Sequence, residues 1–303
     1  MTDSADPAQK IRRATPADTP ACHGLLWEAA TDLGNRRGTP LEGTAEDWWG
    51  SMEPVHRLME REAAEWWVAE GSDGNLNGFA RSFERGSIFE LTELFVKPGD
   101  QSRGLGRALV ERAFPAGRGD LRVIIASTDE RALTLYYTAD TMARFPIFTL
   151  AGEPHRSETA ELDAIRVQAD PADLAHMTAV EEAVLGQGRS AAELEWLSGH
   201  REGYLYRRAE RVVGFAFVGA EASGPVVALE PADLPAILIH VESRAHELGV
   251  EKLELEVPSV NTAAIEHLSQ RGFRIDPWIN LLMSNRPFGQ FDRFIGFGPP
   301  IFL

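Results

Sequence analysis

Short runs of alternating apolar and polar positions punctuate the first half of the chain, with longer stretches of helical spacing between them. Residues 11–14 read as a strand. The Pro16-Ala17-Asp18 that follows opens a helix over residues 17–33, because proline fits the first helical turn and an acidic residue there complements the helix dipole. A second helical stretch is expected over residues 45–64. Residues 66–70 and 78–85 read as strands joined by a turn at Ser72-Asp73-Gly74, and residues 88–96 as a third. Residues 104–114 form an amphipathic helix with Leu105, Ala108, Leu109 and Ala113 inward. A strand over residues 121–126 and a helix over residues 129–139 complete this half. A polar linker is placed at residues 152–159.

The order then repeats. Ile11-Arg12 with Pro16-Ala17-Asp18 has a counterpart in Ile165-Arg166 with Pro171-Ala172-Asp173. Gly78-Phe79-Ala80 returns as Gly214-Phe215-Ala216, and Asp129-Glu130-Arg131-Ala132 as Asn261-Thr262-Ala263-Ala264. Three matches in one order indicate duplication. The expected organisation is two α/β domains, 1–155 and 156–303, each a twisted mixed sheet flanked by helices.

Composition narrows the function classes. At 303 residues, with 44% hydrophobic and 25% charged residues, the chain can bury two cores. No apolar run reaches the ~20 residues of a membrane span, and residues 1–9 lack the apolar centre of a signal peptide. The net charge of -16 argues against nucleic-acid binding and is compatible with a cationic substrate or simply with solubility. Cys22 is the single cysteine, which excludes an intrachain disulfide and fits a reducing cytoplasm. The eight histidines show no metal-ligand spacing, and a Gly-x-Ser-x-Gly elbow is absent.

The stretch that carries chemistry runs Leu94-Phe95-Val96-Lys97-Pro98-Gly99-Asp100-Gln101-Ser102-Arg103-Gly104-Leu105-Gly106-Arg107. A strand ends at Val96 and a glycine-containing loop opens directly into a helix. Such a loop directs backbone N–H groups at one point, where the helix dipole also favours an anion. Arg103 and Arg107 add countercharge. The spacing fits neither a dinucleotide fingerprint nor a Walker A loop, so the physical reading is a pyrophosphate cradle of another kind.

Gln101-x-x-Gly104-x-Gly106, with Leu94-Phe95-Val96-Lys97-Pro98 before it, resembles the signature of the GNAT superfamily of N-acetyltransferases. Asp129-x-x-Ala132-x-x-Leu135-Tyr136 is similar to a second element of that family. The resemblance implies acetyl-CoA as co-substrate, held by Leu94, Phe95 and Val96, by Gln101, Ser102, Arg103, Gly104, Leu105, Gly106 and Arg107, and by Asp129 and Ala132. It implies direct attack of a primary amine on the thioester. A backbone N–H near Phe95 or Val96 would take the oxyanion, and Tyr136 would protonate the leaving thiolate; Tyr137 is the alternative in a shifted register. Glu93 or Glu90 would be the base. At odd separation on one strand they are expected on opposite faces, so only one reaches the cleft, and Glu93, next to the residues implied to bind the thioester, is preferred. Trp48 and Trp49 either pack in the core or wall an acceptor site. The motif departs from the family at Asp129, where asparagine is usual and which cannot donate a hydrogen bond, and at Asp140-Thr141, where Gly-Phe is usual.

The second half lacks the cradle. Leu229-Glu230-Pro231-Ala232-Asp233-Leu234-Pro235 occupies its place, with carboxylates of the wrong sign and prolines that have no N–H. Leu268 stands at the tyrosine position. This half is expected to keep the fold without binding CoA, and the apolar tail over residues 288–303 to dock somewhere. The expected protein is a monomeric or homodimeric, cytoplasmic acetyltransferase acting on a small amine, for which the acidic surface is compatible with a cation, with no metal, nucleic-acid or membrane partner. The rival reading is a non-catalytic acyl-CoA-binding regulator.

Overall fold

The structure is a computed structural model that describes residues 10–101, 104–157, 161–298 and 303. It divides into two compact units: residues 1–143 with 282–286, and residues 144–281 with 287–303.

In the first unit, β1 (Lys10–Arg13) is followed by α1 (Thr19–Arg37) and α2 (Ala45–Glu62). Gly38 ends α1 in the left-handed conformation, at φ 74°, and Thr44 with Asp47 forms a capping box that starts α2. The strands β2 (Ala63–Glu70), β3 (Leu76–Arg85) and β4 (Ile88–Val96) form an antiparallel meander beside β1. Next come α3 (Leu105–Ala113), β5 (Leu121–Ser127), which runs parallel to β4, and α4 (Glu130–Thr138). Residues 282–286 lie at the other edge of β5, where Asn285 and Arg122 exchange hydrogen bonds.

Two cores sandwich this sheet. Cys22, Leu25 and Leu26 of α1 pack with Trp66, Val68 and Phe79 on one face. On the other face lies α3, with Leu105, Leu109 and Ala113 buried as the periodicity predicts. Gly78 is glycine for a steric reason: a Cβ there would lie 2.9 Å from Leu109 Cδ1 and 3.1 Å from Phe95 O.

In the second unit the same order returns: β7 (Asp163–Arg166), α5 (Pro171–Leu185), α6 (Ala191–His200), β8 (Glu202–Arg208), β9 (Arg211–Val218), β10 (Val226–Ala228), α7 (Leu234–Glu247), β11 (Leu253–Pro258), α8 (Thr262–Gln270) and β12 (Arg274–Ser284). Gly214 of β9 repeats the role of Gly78, since a Cβ would meet Val227 O at 2.4 Å and Ile237 Cδ1 of α7 at 2.7 Å. The duplicated Gly-Phe-Ala therefore marks the same close approach of helix to sheet twice. One strand is additional: β13 (Phe294–Ile295) pairs with β10.

Two features went unread in the sequence. The strand β6 (Met142–Gly152) follows α4 and lies between β12 and β11. Pro146 and the charged Arg144 break the alternation that announces a strand. The repeat boundary near residue 155 also does not coincide with the compact units: nearly all of β6 belongs to the second, and residues 282–286 to the first.

Candidate active site

The parallel register of β4 and β5 runs from Ile88↔Leu121 to Leu91↔Ile124 and stops there. Beyond it β4 continues through Thr92 to Val96, paired only with β3 on its other side among the described residues. The two strands part, and Leu94, Phe95 and Val96 line the parting half-buried.

A bulge sits where they separate. Arg81 pairs with Glu93, but the next residue, Ser82, pairs with Leu91. Thr92 is the extra residue, and it shifts the alternation of β4 by one. Glu90, opposite Phe83, therefore lies on the same face as Glu93, opposite Arg81. The expectation of opposite faces is corrected: simple alternation holds only for an unbulged strand. That face is the one covered by α1, since Trp66 and Phe79 share it.

The loop after β4 enters α3 through Gly104, at φ 90°, a left-handed conformation that disfavours other residues. A Cβ at Gly104 would meet nothing within 4 Å, so the backbone angle, not space, calls for glycine there. The first intrahelical bond runs from Ala108 N–H to Gly104 O at 3.0 Å, which leaves the N–H groups of Leu105, Gly106 and Arg107 at the open helix end. Arg107 is exposed there, and Gly106 faces Val96 and Leu135. The Gln101 side chain donates to Val96 O at 3.2 Å, tying the loop back to the strand end. Ser102 and Arg103 lie outside the described residues.

At the start of α4, Asp129 is the N-cap and accepts from Arg131 N at 2.9 Å. Its carboxylate also holds the Arg131 guanidinium at 2.9 Å and that of Arg36, from the end of α1, at 2.8 Å. Burial pushes its pKa up, but the bonds to Arg131 and Arg36 win and hold it well below the usual carboxylate range. Ala132 is half-buried one turn on. Tyr136 is buried, and burial followed by the nearby Asp129 charge raises its pKa, which keeps the phenol protonated. Tyr137 is 55% exposed.

Glu93 is 3% exposed and Arg81 0%, with Arg81 Nε 3.4 Å from Glu93 Oε2 and the guanidinium 4.1 Å over the Trp66 ring. Burial pushes the Glu93 pKa up and Arg81 opposes it. Cys22 is buried nearby, its thiol pushed up to about 12 by burial, so it is not a nucleophile.

Sequence reasoning missed a histidine pair on α1 and α2. His23 Nε2 donates to Ala45 O at 2.8 Å, so its Nδ1 accepts from His56 Nε2 at 2.9 Å. Their separation in sequence hides the pair. Trp49 packs against both rings, and Trp48 packs edge-on against Trp27 at 4.8 Å beside the α1 core.

Burial lowers the His56 pKa from 6.5 to about 4, with the His23 charge next in effect. In that window the unfolded chain binds a proton that the folded chain refuses, so stability falls as the pH drops from 6.5 to 4. The expected loss is on the order of 2–3 kcal/mol. Urea unfolding of wild type and His56→Gln at pH 7 and pH 4.5 checks this: the wild type should lose more, and equal losses would show that His56 does not stay neutral.

The second unit treats the corresponding region differently. A short 3-10 turn over Pro231–Asp233 leads straight into α7, and Asp233 is paired with Arg208 at 2.7 Å. The edge of β10 is filled by β13, with Val226↔Ile295 and Val227↔Phe294. Gly296 bridges onward to Glu256 of β11, donating at 3.0 Å. Asn261, the N-cap of α8 and counterpart of Asp129, donates through Nδ2 to Phe294 O at 3.2 Å. The chain's own tail thus lies where β10 and β11 would otherwise part. No cluster of three or more potential metal ligands occurs among the described residues.

Residues 22–138 match the acetyltransferase (GNAT) family model. Among solved structures, a putative acetyltransferase from Pyrococcus horikoshii is 18% identical, covers 97% of this chain and 95% of its own, and superposes with a TM-score of 0.73. A GCN5-related N-acetyltransferase from Sphaerobacter thermophilus is 19% identical over 92% of this chain and 96% of its own, at 0.65. A tandem GNAT protein from the clavulanic acid biosynthesis pathway is 16% identical over 92% and 99%, at 0.54. These likenesses establish the mixed α/β GNAT fold. No curated protein matches the chain.

Proposed function

We propose that this chain, whose residues 22–138 form a GNAT-family domain, transfers an acetyl group from acetyl-CoA to a primary amine of a small molecule, and that its first half alone does so. The observation that carries the reading is the parting of β4 from β5 beside the open end of α3. An unpaired strand edge can bond an extended, amide-bearing arm, and a helix start with Arg107 beside it suits a pyrophosphate. The residues fit acetyl-CoA on these grounds.

In this reading the backbone N–H groups of Phe95 and Val96 stabilise the oxyanion that develops on the thioester carbonyl. Tyr136, kept protonated by burial, gives its proton to the leaving sulfur. Glu93 receives the proton of the attacking amine, and Glu90, on the same face, is the alternative base. Trp48 and Trp49 serve by packing α1 against α2 and do not touch the acceptor.

The second half supports the reading by contrast. Its carboxylate-bearing loop repels phosphate, and β13 occupies its strand edge. Calorimetry with acetyl-CoA is expected to give one site per chain, and Tyr136→Phe to lower kcat about 10²-fold with little change in CoA affinity. Two sites per chain would refute the assignment to one half. CoA binding without transfer to any amine would leave a regulator instead.

A further inference from the structure

We propose that Thr141 is a positioning residue for acyl transfer: its buried hydroxyl holds the carbonyl of Tyr136 and so fixes the turn that carries the phenol to the leaving sulfur. The proposal rests on the acyl-transfer reading and adds to it a residue outside the cofactor motif.

Tyr136 stands in the last turn of α4, which ends at Thr138. The final carbonyls of a helix have no donor of their own within it, and such turns fray unless other groups bond them. Here they are bonded one after another. Thr138 Oγ1 donates back to Leu135 O at 2.6 Å, and Ala139 N–H donates to Tyr136 O at 3.0 Å. The buried Arg122 of β5 donates through Nη2 to Ala139 O at 3.3 Å. Thr141 Oγ1 gives Tyr136 O a second bond, at 2.9 Å, and Thr141 is 3% exposed, so water does not compete for it.

The duplicated half shows what this bond replaces. The counterpart of Tyr136 is Leu268, near the end of α8, and Gly272-Phe273 follows where the first half has Asp140-Thr141. Gly272 N–H donates to Ser269 O at 3.2 Å and Phe273 N–H to Leu268 O at 3.0 Å, a Schellman end made wholly of backbone. Gly272 reaches φ 95°, which glycine alone takes readily, whereas Asp140 stays at 59°, inside the left-handed well that a side chain tolerates. The bond to the matching carbonyl then comes from a threonine hydroxyl. Asp140-Thr141 is thus a helix end of another kind, and it stands in the half that keeps the tyrosine.

The consequence is positional. The Tyr136 ring is buried, so packing sets its rotamer and its placement follows the backbone of its turn. A catalytic group misplaced by ~1 Å can lose on the order of 10²-fold in rate. A residue that acts only through Tyr136 cannot cost more than loss of the phenol itself.

Thr141→Val nearly keeps the shape and removes the hydroxyl, and Thr141→Ser keeps the hydroxyl. Thiol release from acetyl-CoA is followed with phenethylamine, cadaverine and lysine as acceptors, and the one that wild type turns over fastest is used throughout. Thr141→Val is expected to lower kcat by about 10-fold with the KM for acetyl-CoA unchanged, and Thr141→Ser to stay within about twofold of wild type. In a Tyr136→Phe background Thr141→Val should cost less than about twofold more, because the group it positions is already gone. The same 10-fold drop in both backgrounds would make Thr141 a general support of the fold and overturn the proposal, as would wild-type kcat in Thr141→Val. If Thr141→Val does not fold, Thr141→Ala, which also lacks the hydroxyl, takes its place. Wild-type turnover without any effect at Thr141 leaves the acyl-transfer reading intact, whereas wild type that binds acetyl-CoA and acetylates none of the three amines removes both.

Discussion

Gly104→Glu is expected to weaken acetyl-CoA binding by about 100-fold without unfolding the chain. Three effects add. The residue sits at φ 90°, where a side chain costs about 1–2 kcal/mol. The carboxylate is itself favoured by the helix dipole at this end, so it takes the field that would hold the phosphate. It also brings a negative charge against the pyrophosphate, at least another ~1 kcal/mol even in high dielectric. Together these amount to roughly 2–4 kcal/mol, a range that brackets the 2.7 kcal/mol corresponding to about 100-fold. Open space around Gly104 means the substitution clashes with nothing, so the fold survives. Gly104→Asn is the control: asparagine tolerates the left-handed region, and its affinity should stay within about tenfold of wild type. Calorimetry reads both. Near-wild-type affinity for Gly104→Glu would remove the loop as the pyrophosphate seat.

Arg81→Met is expected to cost about 3–5 kcal/mol of stability, the usual penalty for stranding one member of a buried ion pair. Glu93 would remain almost wholly buried and would lose the Arg81 guanidinium that pairs with it. It would have to be protonated, so the loss should shrink at acid pH, as a carboxylate whose pKa is raised in the fold is less penalised once neutral. Arg81→Met combined with Glu93→Leu removes both charges and should recover most of the loss. Urea unfolding at pH 7 and pH 5 measures all three. A loss below ~1 kcal/mol in the single variant would mean that water reaches the carboxylate.

Much of the first half was legible because its signals are local. A proline and an acidic residue open α1, and apolar spacing sets the inner face of α3. The glycine loop was readable because its conformation is written in residue types: Gly104 is needed for a backbone angle. The duplication was readable because the Gly-Phe-Ala strand meets a helix at close range in both halves, and only glycine permits that approach. Asp129 looked like a weakened asparagine. In the structure it gathers Arg36 and Arg131, a role that its charge suits and an amide would not.

Sequence alone therefore determined most of the elements, the repeat, the position of the glycine loop and its absence from the second half, each announced by residue types a few positions apart. Tertiary structure decided the rest. It set the bulge that turns Glu90 to the same face as Glu93, the pairing of His23 with His56, the stacking of Arg81 between Trp66 and Glu93, and the course of the tail into the edge of β10. Each joins residues far apart in the chain. Such pairings are selected by packing and by the need to satisfy buried backbone and charge, and no local pattern of apolar and polar positions records them.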